Sequence, residues 1–225
     1  KIKKFNHLKI HSQYSICEGA IKIDELKDFC KDNKIKSLGL CDTTNLCGAL
    51  EFAEKISKSG TQPIIGTQIN FKYGETTGLL PLYALNKEGY QRIIELSSLS
   101  FLNNNEISDP HLDFKELLNK NEGISLFSGT VNGLFGKLFD KGKFSEIESL
   151  YSTLKSKYND RFYIEIQRHE DQNEISFEKF NLQKSNDFKI PLIATNEVFY
   201  INRDMFEAHD ALICIKNKTY VNEKN

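Results

Sequence analysis

The 225-residue chain has almost no net charge: 30 Lys and Arg stand against 31 Asp and Glu, leaving −1. An autonomous nucleic-acid binder normally shows a basic excess, so this balance argues against one. It leaves room for a domain that sits beside nucleic acid inside a larger machine. No apolar run approaches the roughly 20 residues of a membrane helix. No signal peptide is recognisable, since the opening KIKKFNHLKIHS runs straight into a strand-like segment. The five cysteines, Cys17, Cys30, Cys41, Cys47 and Cys214, are odd in number, irregularly spaced and without a CxxC. That excludes a disulfide framework and a zinc knuckle and fits reduced, mostly buried thiols in a cytoplasmic protein. No GxGxxG or GxxxxGKS/T follows the first strand, so nothing points to a dinucleotide or P-loop site. There is no internal repeat, no low-complexity segment and no linker that would divide the chain. Histidine is scarce, with only His7, His11, His111, His169 and His209.

What is present is an ordinary globular composition, 39% hydrophobic and 11% aromatic. A chain of this length buries a core without staples. The hydrophobic pattern alternates strand and helix. His7–His11 reads as a strand, and Ile23, Leu26, Phe29 and Cys30 mark a helix face. Ser37–Cys41 reads as a strand, and Leu46, Ala49, Leu50, Ala53 and Ile56 stripe the next helix. Strands follow over Pro63–Phe71 and Leu79–Leu85, then a helix striped by Tyr90, Ile93, Ile94 and Leu96. Asn103–Pro110 is polar and irregular, a surface loop. Ile124–Phe127, Phe162–Ile166 and Leu192–Ala194 are the last three strands. Helices are expected over Leu134–Asp140, Lys143–Tyr158, Ile175–Phe188 and Asp204–Ile215. Seven strands alternating with helices imply an α/β fold with a parallel sheet, and at this length a closed or nearly closed barrel.

In such barrels, sites form at the C-terminal strand ends. Those ends are polar here: His11-Ser12, Asp42-Thr43-Thr44-Asn45, Gln68, Ser128-Gly129-Thr130, Glu165 and Gln167 with His169 beyond, and Thr195-Asn196-Glu197. Thr44 and Asn45 are candidate helix N-caps. A multinuclear metal site needs several His and carboxylate ligands. His7 and His11, four apart on a strand, share a face, and His169 is the third plausible site histidine. His111 belongs to a solvated loop edge and His209 to a helix. The supply of ligands is poor.

Several segments together carry a resemblance. They are FNHLKIHSQYS, LGLCDTTNLCGALEF, QPIIGTQINF, ALNKEGYQRI, GISLFSGTVNG, DRFYIEIQRH, IPLIATNEVFY and EAHDALICI, in order along nearly the whole chain. The sequence resembles the PHP (polymerase and histidinol phosphatase) domains at the N-termini of bacterial DNA polymerase III alpha subunits. The resemblance implies a single PHP domain over residues 1–225, an N-terminal piece of a much longer chain, folded as a distorted seven-stranded (βα) TIM-like barrel. Members with an intact site resemble metal-dependent phosphoesterases. Carried over position by position, the ligand set falls on Lys9, His11, Glu18, Thr43, Gln68, Leu79, Thr130, Glu197 and Phe199. Only His11 and Glu18 match, and Glu197 is a conservative change for Asp. Asp42 and His169 are nearby polar residues outside that set.

Lys9 would put a cation where a divalent ion sits in such members, a repulsion of several kcal/mol by order of magnitude. The same ammonium can instead neutralise Glu18 or Glu197, while Leu79 and Phe199 offer no donor atoms and dry the cleft. The expectation is a degenerate cleft with no catalytic residue and no metal, His11, Glu18 and Glu197 being the residual candidates. The resemblance further implies a structural and docking module whose partners are the rest of the polymerase subunit, a 3′–5′ proofreading exonuclease and, through the parent, DNA. It implies no membrane partner and no cofactor in this domain. A divalent metal (Mg) would serve the downstream polymerase site. The alternative is an active metal-dependent phosphoesterase or 3′–5′ exonuclease.

Overall fold

A computed structural model describes residues 5–102, 109–169 and 172–219. In chain order the elements are β1 Lys9–Ile10, α1 Ile23–Asp32, β2 Ser37–Thr43, α2 Ala49–Lys58, β3 Gln62–Tyr73 and β4 Thr76–Ala84. Then come α3 Lys87–Leu102, β5 Leu112–Asp113, α4 Lys115–Asn119, β6 Ile124–Phe127, α5 Leu134–Asp140 and α6 Phe144–Tyr158. The series closes with β7 Phe162–Ile166, α7 Gln172–Phe188, β8 Leu192–Ala194, β9 Glu197–Val198 and α8 Phe206–Asn217. Residues 103–108 of the expected loop lie outside the described residues.

The chain groups into two compact units, residues 1–66 with 196–225 and residues 67–195. In the first, β1 lies between β2 and β9 and is parallel to both, with Ile10 opposite Leu40 and Lys9 opposite Glu197. Its core joins Ile10, Ile21, Ile23, Leu26, Cys30, Leu38, Leu40, Phe52 and Ile56. Burying such side chains supplies roughly 1.5–3 kcal/mol each. α1 presents Ile23, Leu26 and Cys30 to this core. α2 presents Ala49, Phe52 and Ile56, at i, i+3 and i+7 of one face.

In the second unit β6 and β7 are parallel, as are β7 and β8. β5 adds to β3 in parallel, Phe71 facing Leu112. The core here is aromatic: the Tyr151 ring lies edge-on to Phe135 and Phe162, with centroids 4.7 Å and 5.6 Å away. Tyr151 donates to Asn181 Oδ1 at 2.9 Å, which satisfies its hydroxyl within that core. The NKEGY segment has a packing reason. Asn86 Oδ1 accepts from Gly89 N at 2.8 Å at the start of α3. A Cβ on Gly89 would lie 1.8 Å from the Gly123 carbonyl oxygen, so only glycine lets the turn before β6 approach α3.

Several expectations need correction. The first strand is two residues long rather than five, and His7 lies before it, its carbonyl accepting from Gly39 N at 2.8 Å. Thus His7 and His11 do not share one strand. The sheet is mixed: β4 runs antiparallel to β6. Only Gly74-Glu75 separates β3 from β4, with Gly74 at φ 57°, and two residues cannot make a parallel crossover. Nine strands are described rather than seven, because β5 and β9 are two-residue additions. Leu50 and Phe29 point outward, at 69% and 38% exposure, and Phe52 takes the inward place on α2. Thr44 and Asn45 do not cap α2, whose N-cap is Gly48. Asn45 Oδ1 instead accepts from Cys47 N at 3.0 Å, closing the turn ahead of the helix, and Thr44 takes a left-handed φ of 62°.

Candidate functional site

The ligand positions carried over from the resemblance fall in both units. Lys9, His11, Glu18, Thr43, Glu197 and Phe199 belong to the first; Gln68, Leu79 and Thr130 belong to the second.

In the first unit, the parallel register of β1 and β9 puts Lys9 opposite Glu197. Lys9 is 1% exposed, and its Nζ lies 3.3 Å from Glu197 Oε1. His11, fully buried, brings Nε2 to 3.4 Å from the same oxygen. Burial by itself would raise the Glu197 pKa, but His11 and Lys9 overcome it and hold the carboxyl down to about 2. The His11 ring stacks on Phe199 at 4.6 Å and 16°, so one face of the imidazole is sealed by hydrocarbon. Phe199 stacks in turn on His209 at 5.3 Å. The backbone locks this strip, with His11 N donating to Val198 O at 2.9 Å and Ala20 N to Phe199 O at 2.9 Å.

Asp42, at the C-terminal end of β2, is fully buried and organises the turn after β1. It accepts from Ser12 N at 2.6 Å, Ser12 Oγ at 2.7 Å and Ser15 Oγ at 2.8 Å. Burial pushes its pKa up, against the opposing pull of those donors. Ser15 Oγ also accepts from Thr43 N at 3.1 Å. Thr43 Oγ1 donates to Glu18 Oε2 at 2.7 Å, and Lys216 Nζ reaches Glu18 Oε1 at 2.5 Å. Glu18 is therefore neutralised by Lys216, and Lys9 serves Glu197.

In the second unit Gln68 is 5% exposed on β3, while Leu79 on β4 and Thr130 after β6 are half-buried. Thr130 lines a small pocket with Glu165, Gln167, Glu174, Phe177 and Asn181. Glu165 is 3% exposed and is held by the Thr195 hydroxyl and by Gln167 Nε2, the latter at 3.2 Å. Ser128 Oγ accepts from Glu165 N at 3.0 Å. His169 is bound to α7, its N donating to Glu174 Oε2 at 2.7 Å and its Nδ1 2.9 Å from Oε1. His111 Nδ1 lies 2.8 Å from Asp109 O. Among the described residues no three His, Cys, Asp or Glu side chains come together to hold a metal ion.

Three features escaped the sequence reading: the Ser12 and Ser15 clamp on Asp42, the Thr195 contact to Glu165, and Lys216. The first two follow from polar residues at strand ends, a visible signal. Lys216 is 198 residues from Glu18 and gave none.

A model of the PHP domain family matches residues 7–169, and the chain belongs to that family. The particular relatives are polymerase subunits. The chain is 35% identical to the DNA polymerase III subunit alpha of Caulobacter vibrioides, over 97% of this chain and 20% of that protein. It is 34% identical to the DNA polymerase III subunit alpha of Rickettsia conorii, over 98% of this chain and 19% of that protein. The chain thus spans about a fifth of the length of these relatives. It shares its α/β fold with an amidohydrolase from Chromobacterium violaceum, at TM-score 0.58 and 11% identity over 93% of this chain and 97% of that one. No helix among the described residues is long and apolar enough to cross a membrane.

Proposed function

We propose that residues 1–225 form the PHP domain of a cytoplasmic replicative DNA polymerase alpha subunit and serve as a structural and docking module without catalysis of their own. The observation that carries this reading is the buried Lys9 ammonium 3.3 Å from Glu197, both at the family's metal-ligand positions. A divalent ion bound there would meet a fixed positive charge in a dry setting, where screening is weak. Phe199, stacked on His11, supplies no ligand atom. The Lys9, Glu197 and Phe199 side chains do not fit a catalytic metal. Polymerisation, with its Mg, would belong to the remainder of a parent chain, which also carries most of the DNA contact. The near-neutral charge suits a module that faces protein neighbours.

The partner this reading assigns is a 3′–5′ proofreading exonuclease subunit, held in trans. A pull-down with the cognate exonuclease tests it: binding in the micromolar range is expected, and none at tens of micromolar overturns the docking role. Elemental analysis of chelator-free protein tests the metal-free reading, which near-stoichiometric zinc or manganese would sink. The competing assignment, an active phosphoesterase, would require manganese-dependent nitrophenyl-phosphate or 3′-mismatch hydrolysis that His11→Ala abolishes.

A further inference from the structure

With Lys9 committed to Glu197, the second carboxylate of the former centre, Glu18, needs its own counter-charge. Glu18 sits on a rigid turn. Its N and that of Gly19 both donate to Ser15 O at 3.0 Å. A Cβ on Gly19 would lie 2.1 Å from Ser12 O, so the turn closes too tightly for any side chain there. One Glu18 oxygen takes the Thr43 hydroxyl, from the end of β2, at 2.7 Å. The other takes Lys216 Nζ, from α8, at 2.5 Å. Glu18 is 19% and Lys216 46% exposed, so this is a charge-assisted contact open to solvent on the lysine side.

Lys216 is also placed by its helix. It lies in the last turn of α8, where the free carbonyl ends favour a cation. The helix ends on Lys218 at φ 55°, with Lys218 N bonded to Ile215 O and Thr219 N to Cys214 O. That left-handed cap fixes the register of the last turn, and so the side from which Lys216 reaches Glu18.

Resting on the metal-free reading above, we infer that Lys216 is the internal counter-ion of Glu18 and latches α8 onto the centre. A divalent ion in a loaded site does two things: it neutralises carboxylates and it cross-links the elements that carry them. Here the two tasks are divided between two ammonium groups. Lys9 neutralises Glu197 within the β1–β9 pair. Lys216 neutralises Glu18 and ties together three elements: the turn after β1, the end of β2 through Thr43, and α8.

The test is hydrogen–deuterium exchange on the full-length protein, read at peptides covering residues 12–20 and 206–217. Lys216→Met should speed exchange in both segments by about threefold, the factor an ion pair of this exposure supports. Glu18→Gln should do the same, and the double substitution should be no faster than either single one. The swapped pair Glu18→Lys with Lys216→Glu should recover at least part of the protection. Unchanged exchange in 206–217 with Lys216→Met overturns the latch, as does full additivity of the two single substitutions. Metal content of the same wild-type sample separates the two ideas. Stoichiometric metal together with Lys216-dependent exchange removes the metal-free reading and keeps the latch. Metal-free protein with Lys216-independent exchange removes the latch alone.

Discussion

Replacing Lys9 by Met keeps most of the side chain's length and removes its charge, which isolates the electrostatic part of the centre. The ammonium lies 3.3 Å from Glu197 Oε1, with Lys9 1% and Glu197 24% exposed. At an effective dielectric of about 20 the attraction at that distance is roughly 5 kcal/mol before desolvation is subtracted. The Glu197 carboxyl gives an independent measure. It is drawn from its usual value of 4.5 to about 2, against burial, by His11 and Lys9. A fall of that size corresponds to roughly 3 kcal/mol of stability. His11 supplies the larger part of it, so Lys9→Met should cost about 1–2 kcal/mol at pH 7, or roughly 2–8 °C in Tm for a chain of this length. The sign with pH follows. A carboxyl whose folded pKa is depressed stabilises fully above its unfolded pKa, and that stability is lost as pH falls from about 4.5 toward 2. The gap between wild type and variant should therefore be full at pH 7 and narrow below pH 4.5. Urea unfolding of the chain, followed by far-UV circular dichroism at steps from pH 7 to pH 3, reads this directly. Coincident unfolding midpoints at pH 7 would refute the reasoning, and so would a gap that stays constant over the whole range.

Asp42→Ala strands three donors, from Ser12 N, Ser12 Oγ and Ser15 Oγ, and should cost about 2–4 kcal/mol by chemical denaturation. Because burial raises the Asp42 pKa, its titrating contribution has the opposite sign to that of Glu197: the wild-type advantage should shrink as pH rises above about 4. Gly89→Ala forces a Cβ to within 1.8 Å of a backbone oxygen and should cost about 3 kcal/mol or more, whereas Gly60→Ala, at φ 80° with nothing within 4 Å, should cost about 1 kcal/mol; comparing their Tm values checks both. Tyr151→Phe leaves the Asn181 oxygen without its 2.9 Å donor in a fully buried setting and should lower stability by about 1 kcal/mol, with the far-UV spectrum unchanged.

The elements that were legible in sequence are those whose signals are local. Ile124–Phe127, Phe162–Ile166 and Leu192–Ala194 emerged with the bounds expected, because each is a short run of apolar and β-branched residues set between turn residues. Leu112–Asp113 and Glu197–Val198 were not legible as strands, since two residues cannot show a period. The Leu50 error arose because an apolar residue one position from Ala49 scores as hydrophobic yet points about 100° away on a helix, and Phe52 met the inward geometry better. The antiparallel β4 was readable in principle from Tyr73-Gly74-Glu75-Thr76, where the two-residue turn forbids a crossover.

The candidate site divides along the same line. Residue type was visible in the sequence: at positions that the resemblance assigns to ligands, Lys9 carries a positive charge, Gln68 none, and Phe199 no donor atom. Which charge meets which was not, because a cation near two carboxylates satisfies either equally well on paper. The fold decides between Glu18 and Glu197 through register. Parallel pairing sets Lys9 against Glu197, and the Ser15-bound turn directs Glu18 toward Thr43 and the end of α8. Lys216 could not have been singled out among 30 basic residues, since nothing near it in sequence hints at a partner 198 positions away. Charge and donor types at single positions are thus readable from sequence, whereas their pairing is not. Tertiary geometry sets those partners: register brings Lys9 to Glu197, and the last turn of α8 brings Lys216 to Glu18.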